Sequence, residues 1–162
     1  MRVILLIIIG FSLVGCMNTP IKPKKKREVK IEKKREIKPI VKIVIDKKTG
    51  LIWQDDNDAK SVKKDWKNAK KYCSNLEIKG YTDWYLPSHE QLLTITDKSK
   101  VYPAIKEKFH NVSYSNKSCY LSSSSYTPKS TIAWGVRFED GRSERVSKTS
   151  KGYVRCVRLG KK

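Results

Sequence analysis

Residues 22–48 hold thirteen Lys or Arg against four acids, a net +9 in 27 positions. No stretch of such composition can bury a core, because like charges repel on compaction and few apolar groups are present. A short repeat runs through it, KKREVK at 25–30 and KKREIK at 33–38, with Pro20, Pro23 and Pro39 around it. The segment reads as an extended tether covering residues 16–40, and a packed domain has to come from the residues after it. Residues 49–162 carry twenty-two basic residues against twelve acids, +10 over 114 positions, so a dense basic segment is followed by a moderately basic domain. A charge of this sign favours polyanionic partners: phosphorylated glycolipid, sulfated sugar, nucleic acid or anionic membrane.

The tether is preceded by MRVILLIIIGFSLVGC. A lone Arg2 stands before an apolar run from Val3 to Gly15, interrupted by Ser12 alone. Thirteen helical residues reach about 20 Å, short of the roughly 30 Å hydrocarbon core, which fits a signal-peptide h-region better than a span. Leu13-Val14-Gly15-Cys16 has the pattern of a bacterial lipobox. That pattern implies cleavage after residue 15 and a diacylglyceryl group on Cys16, and it places the protein in the bacterial envelope. Met17, not Asp, comes after the lipidated position, which points to the outer membrane in a Gram-negative cell. Acyl chains contribute about 0.8 kcal/mol per buried CH₂, so two or three give durable attachment. The tether beside this anchor has two readings. Lys24–Lys38 grips headgroup phosphates, or it is a solvated spacer. Export makes a nucleic-acid partner unexpected.

With Cys16 acylated, three cysteines remain: Cys73, Cys119 and Cys156. In an exported protein that suggests one disulfide and one odd thiol.

The domain, residues 41–160, reads as mixed α and β. Ile40–Asp46 and Leu51–Gln54 make a hairpin, with Gly50 able to take the positive φ of the turn. SVKKDWKNAKKYCSNL is the clearest helix, with Ser61 as N-cap. Trp66, Ala69, Cys73 and Leu76 share one apolar face, and lysines 63, 64, 67, 70 and 71 mostly line the other side. Ser88 caps a second helix with Gln91 at the reciprocal position, and Leu92, Leu93 and Ile95 face its core. YPAIKEKF suggests one or two further helical turns, with Ile105 and Phe109 packed. After residue 111 the pattern is β. CYLSSSSYT is a strand. TIAWGVRFEDGRSERVSK is a hairpin with Ile132, Trp134, Val136 and Phe138 on one face. GYVRCVRLG is a final strand with Val154 and Cys156 on one face and Tyr153, Arg155 and Val157 on the other.

Several motifs in this order carry a resemblance: DKKTGLIWQ at 46–54, the helix with Trp66, Ala69 and Cys73, GYTDWYLPSxxxL at 80–92, YLSSSSY at 120–126, WGVRF at 134–138 and YVRCVR at 153–158. Together they resemble the Lcl C-terminal domain of bacterial surface and envelope proteins, over residues 42–159. One departure is Tyr85, where the family commonly has Arg. The resemblance implies a C-type-lectin-like α+β fold, two helices on a small, mostly antiparallel twisted sheet. It also implies a disulfide from the first helix to the last strand, at Cys73 and Cys156, leaving Cys119 as the odd thiol.

Calcium-dependent sugar binding is not indicated. The prolines read LPS, YPA and TPK, so the EPN and QPD signatures are absent, as is WND. Asp55-Asp56-Asn57-Asp58 is the only acidic cluster, and Ca²⁺ wants six to eight oxygens, so no metal and no cofactor are expected. His89 and His110 have no metal spacing, and Ser122–Ser125 lacks the flanking glycines of a nucleophile elbow. WxLPS also resembles formylglycine-generating enzymes, but that chemistry would need Cys119 and Cys156 as a redox pair. The expectation is therefore a non-enzymatic binding module for an anionic glycan, glycolipid or other polyanion. Tyr126 offers a stacking face, and Arg137, Arg142, Arg145, Arg155 and Arg158 are read as its exposed cations. The alternative is a protein-binding or structural envelope module whose charge serves the tether alone.

Overall fold

A computed structural model describes residues 42–114 and 119–160. The signal, lipobox and tether expectations for residues 1–41, Cys16 included, lie outside the described residues.

The first hairpin forms as its sequence suggests. β1 (Ile43–Asp46) pairs antiparallel with β2 (Leu51–Gln54), and Gly50 turns the chain at φ 71°. β8 (Val157–Leu159) adds to the other side of β2, giving the sheet order β1-β2-β8. A second sheet has the order β3-β7-β4-β5-β6, from Lys63–Lys64, Gly152–Tyr153, Tyr120–Ser125, Ile132–Arg137 and Arg142–Ser147. Only the β4–β7 contact is parallel. Among the described residues three helices complete an α+β fold: α1 (Asp58–Ser61), α2 (Trp66–Ser74) and α3 (His89–Thr94). Among the described residues no helix is long and apolar enough to cross a membrane.

Local chemistry sets the helix ends. Ser88 accepts from the Gln91 amide while the Gln91 side chain accepts from the Ser88 amide, so the expected capping box is present. The cap of α2 is a correction. It is Asp65, whose carboxylate accepts from Asn68 N at 3.0 Å, and Ser61 instead ends the single turn of α1. The reason is tertiary: Lys63 and Lys64 are extended and pair with Tyr153 and Gly152, so the helix cannot start before them. YPAIKEKF is a second correction. Tyr102 sits at φ 53°, and its amide and that of Ala104 donate to Glu139 O and Phe138 O rather than back along a helix. Ile105 and Phe109 are buried there as expected.

The β5 pattern holds in part. Val136 and Phe138 are fully buried, but Ala133 and Gly135 are buried on the opposite face while Ile132 and Trp134 stay partly exposed. A β-carbon on Gly135 would meet Tyr120 O at 2.9 Å and Cys119 Sγ at 3.0 Å, which explains the glycine. The last strand is also divided. Val154–Cys156 form a link from β7 in one sheet to β8 in the other, and residues 152–158 are buried throughout.

Two clusters make the core. One packs Trp53, Leu92, Ile95, Tyr120, Phe138 and Val157; the other packs Ile52, Ala69, Trp84, Leu121 and Val154 around the disulfide. Cys73 of α2 is bonded to Cys156 with a Cα separation of 5.5 Å, the pairing that the family resemblance implied. Both clusters and the crosslink are built from residues 43–157, so the described part holds a hydrophobic core and a covalent tie of its own, the features of an autonomous domain. Tyr85, the departure from the family pattern, bridges to Val157 and accepts from Gln91 Nε2 at 3.0 Å.

Candidate functional site

The six residues expected at the ligand surface do not lie together. Arg155 is fully buried. Its Nη1 donates to Gln54 O at 2.6 Å and Asp55 Oδ1 at 2.9 Å, and its Nη2 to Asn111 O. The guanidinium lies over the rings of Phe109 and Tyr120 at 5.2 and 5.6 Å. Asp55 also accepts from the amides of His110 and Asn111, so the pair fastens the 109–111 loop to the end of β2. Arg158 is 2% exposed and forks onto Asp83 at 2.6 and 2.9 Å, against the Tyr81 ring. Both arginines are thus structural, which corrects their reading as exposed cations. The cause is the link between the two sheets, which buries both faces of 152–158 and obliges each charge to find a carboxylate.

Arg137 is partly exposed but is held by Asp140 and by Glu144 at 3.2 Å. Its hydrogen bonds keep the Asp140 carboxyl below the usual range. Arg142 is 76% exposed at the side chain, 3.4 Å from Asp140. Arg145 is exposed and covers the Tyr126 ring at 5.5 Å. Tyr126 meets Trp134 edge-on at 5.3 Å, and His89 stacks on Trp134 at 5.0 Å with its Nε2 2.8 Å from Ser143 Oγ. Of the expected set, Arg137 and Arg142 meet at Asp140, Arg137 and Arg145 line one cleft, and Arg145 covers Tyr126, a patch that Trp134 and His89 extend, while Arg155 and Arg158 stand apart in the core.

A stronger basic feature lies elsewhere. A groove of about 530 Å³ runs between α2 and β3, walled by Lys63, Lys64, Lys71 and Lys151. β3 pairs with β7, which sets Lys63 and Lys64 beside the residue preceding Gly152. Helical phase brings Lys71 up from α2. Among the described residues Lys64, Lys71 and Lys151 make no ion pair. Of the two acids in the groove, Glu77 is exposed, and Asp65 is committed to capping, bonded to Asn68 N and Nδ2, which hold its carboxyl low. Tyr72 lines the floor; burial pushes its hydroxyl up to about 12, and it donates to Asp58 Oδ2. The sequence showed these lysines only as the wet side of a helix. Nothing in it signalled that β3 would pair with β7 and fold Lys151 alongside.

Cys119 is free and buried, and burial pushes its thiol up to about 11, so at neutral pH it is protonated and a poor nucleophile. Asp55, Asp56 and Asp58 are each engaged, by Arg155, by Gln54 and Ala59, and by Tyr72. Among the described residues no group of three or more His, Cys, Asp or Glu is placed to hold a metal.

No curated protein matches the chain. The family model described as Lcl C-terminal domain matches residues 42–158, nearly the whole of the described fold. With the motif order, the α+β architecture and the helix-to-terminus disulfide in agreement, the chain belongs to the Lcl C-terminal domain family, a module of bacterial surface and envelope proteins.

Proposed function

We propose that this is a lipid-anchored protein of the bacterial envelope, held by an acylated Cys16, that presents a calcium-independent module for an anionic glycan, glycolipid or other polyanion. The observation that carries the reading is the groove between α2 and β3, where Lys64, Lys71 and Lys151 stand without carboxylate partners among the described residues. Its volume suits a mono- or disaccharide unit of a longer chain, and the side-chain amides of Asn68 and Asn75 line it beside the ammonium groups. In this reading the protein binds rather than catalyses. The redox alternative required Cys119 and Cys156 to act together, and Cys156 is bonded to Cys73.

The test is a glycan and lipid array probed with residues 42–162 at low and high salt. Binding to sulfated or phosphorylated species that fades with salt supports the reading, since exposed charges are screened over about 8 Å at physiological ionic strength. No binding at low salt, or binding unchanged in molar salt, defeats it. Mass spectrometry of the mature N-terminus tests the anchor: Cys16→Ser should leave an unprocessed, unacylated precursor.

A second reading has its own support. Arg137, Arg155 and Arg158 are spent on carboxylates within the fold, so much of the domain's charge serves its architecture. A protein-binding or structural envelope module would then use the basic tether alone, and the same array would return nothing for the isolated domain.

A further inference from the structure

Position along α2 sorts the charges of the α2–β3 groove. Asn68, Lys71, Tyr72 and Asn75 fall at i, i+3, i+4 and i+7, one strip of the helix, so the groove runs along the helix axis. Where α2 begins, β3 leads directly into the Asp65 cap, and the pairing of Lys64 with Gly152 sets Lys151 alongside. Lys63, Lys64 and Lys151 therefore gather at that end. Asp65 lies among them with its oxygens turned to Asn68 N at 3.0 Å and Asn68 Nδ2 at 2.6 Å. Lys71 stands midway, and a long helical side chain leans back towards the N-terminus, away from the far end. From the Asn75 cap onward the lining is Leu76 and Glu77. Glu77 is exposed and makes no ion pair among the described residues.

The helix adds to the same gradient, because its first amides are the positive end of the macrodipole and its last carbonyls the negative end. Nine residues make α2 about 13 Å long, so the two poles of the groove stand on the order of 10 Å apart. A uniformly anionic chain that filled the groove would set one of its own charges against Glu77 and the carbonyl end, a repulsive contact that works against such a ligand.

We infer that the groove takes a zwitterionic glycan segment, with its acidic substituent among Lys63, Lys64 and Lys151 and a free ammonium group against Glu77. This names the ligand class of the proposed function and rests on that reading. Each exposed ion pair contributes little by itself. The order of the charges supplies the selectivity: cations at one end and a carboxylate at the other fix which way the segment lies. Asn68 and Asn75 line the strip between the poles, where sugar hydroxyls would lie.

The experiment titrates residues 42–162, shown to be folded by a cooperative urea transition, with a matched pair of polymers at low salt. De-N-sulfated heparin carries free amino groups beside its O-sulfates; the same polymer after N-acetylation keeps the O-sulfates and loses the ammonium groups. The first has the smaller net negative charge, so attraction to a basic protein by charge alone favours the second. The domain should instead bind the free-amine polymer about threefold tighter, the scale of one exposed ion pair. Glu77→Gln should erase or reverse that preference, bind the N-acetylated polymer as well as before or better, and leave the urea midpoint in place. Glu107→Gln removes an acid of 93% side-chain exposure outside the groove and should keep the preference. The inference is overturned by equal or weaker binding of the free-amine polymer, by a preference that survives Glu77→Gln, or by one that Glu107→Gln removes equally. Binding of both polymers without preference, lost in Lys64→Gln with Lys71→Gln, overturns this inference and leaves the groove reading standing. Binding of neither overturns both.

Discussion

Replacing Asp55 by alanine should cost the domain about 4 kcal/mol. The Arg155 and Asp55 side chains are both fully buried, with Nη1 and Oδ1 2.9 Å apart. Breaking a buried pair by removing one partner leaves an uncompensated charge and costs about 3–5 kcal/mol. The amides of His110 and Asn111 also lose their acceptor, at about 1–3 kcal/mol for each orphaned donor, though these costs overlap because the loop can relax towards water. For a domain of this size the loss would lower Tm by about 15 °C. Asp55→Asn keeps an oxygen for the amides and isolates the charge effect. Adding Arg155→Met to it should recover about 2 kcal/mol, because the unpaired guanidinium is gone. Urea unfolding of residues 42–162 under non-reducing conditions, monitored by tryptophan fluorescence, measures Asp55→Ala and the four proteins of the Asp55→Asn, Arg155→Met cycle. Two results would refute the reasoning. One is a loss under about 1 kcal/mol for Asp55→Ala. The other is an Arg155→Met variant that keeps its stability and loses polyanion binding, which would make Arg155 a ligand residue after all.

The Cys73–Cys156 crosslink spans 83 residues, so its removal by paired Ala substitution should destabilise by about 4.5 kcal/mol on the chain-entropy account, read from the same urea curves. Cys119 should resist thiol reagents in the folded domain and react only on unfolding; rapid native labelling would contradict its burial. Asp140 is depressed chiefly by its hydrogen bonds to Arg137, so its contribution to stability should be complete above its ordinary value of 3.8 and fade as pH falls through the lower folded value. In Arg137→Gln that acid-side loss should shift upward in pH, as carboxyl NMR titration would show. Lys64→Gln with Lys71→Gln should weaken heparin retention about tenfold or more without moving the urea midpoint, and Lys47→Gln with Lys48→Gln should not.

Much of this fold was legible locally. The Lys-Lys-Thr-Gly turn and its hairpin, the Ser88 capping box and the Trp66–Cys73 helix face depend on neighbours within a few residues, and each formed where expected. The ordered motifs from 46 to 158 carried the family, and through it the disulfide partner. What local pattern could not supply was pairing between distant segments. Alternation along GYVRCVRLG predicts one wet face, but the chain passes from one sheet to the other at Val154–Cys156, so both faces are buried and Arg155 and Arg158 become core residues with carboxylates brought from positions 55 and 83. The same β3–β7 pairing displaced the start of α2 to Asp65 and gathered Lys63, Lys64, Lys71 and Lys151 around one groove. The sequence by itself determined that a densely basic segment precedes an α+β domain of known family. Which of its many cations are spent inside and which stay exposed was decided only by tertiary structure, because burial of a charge depends on what the rest of the chain packs against it.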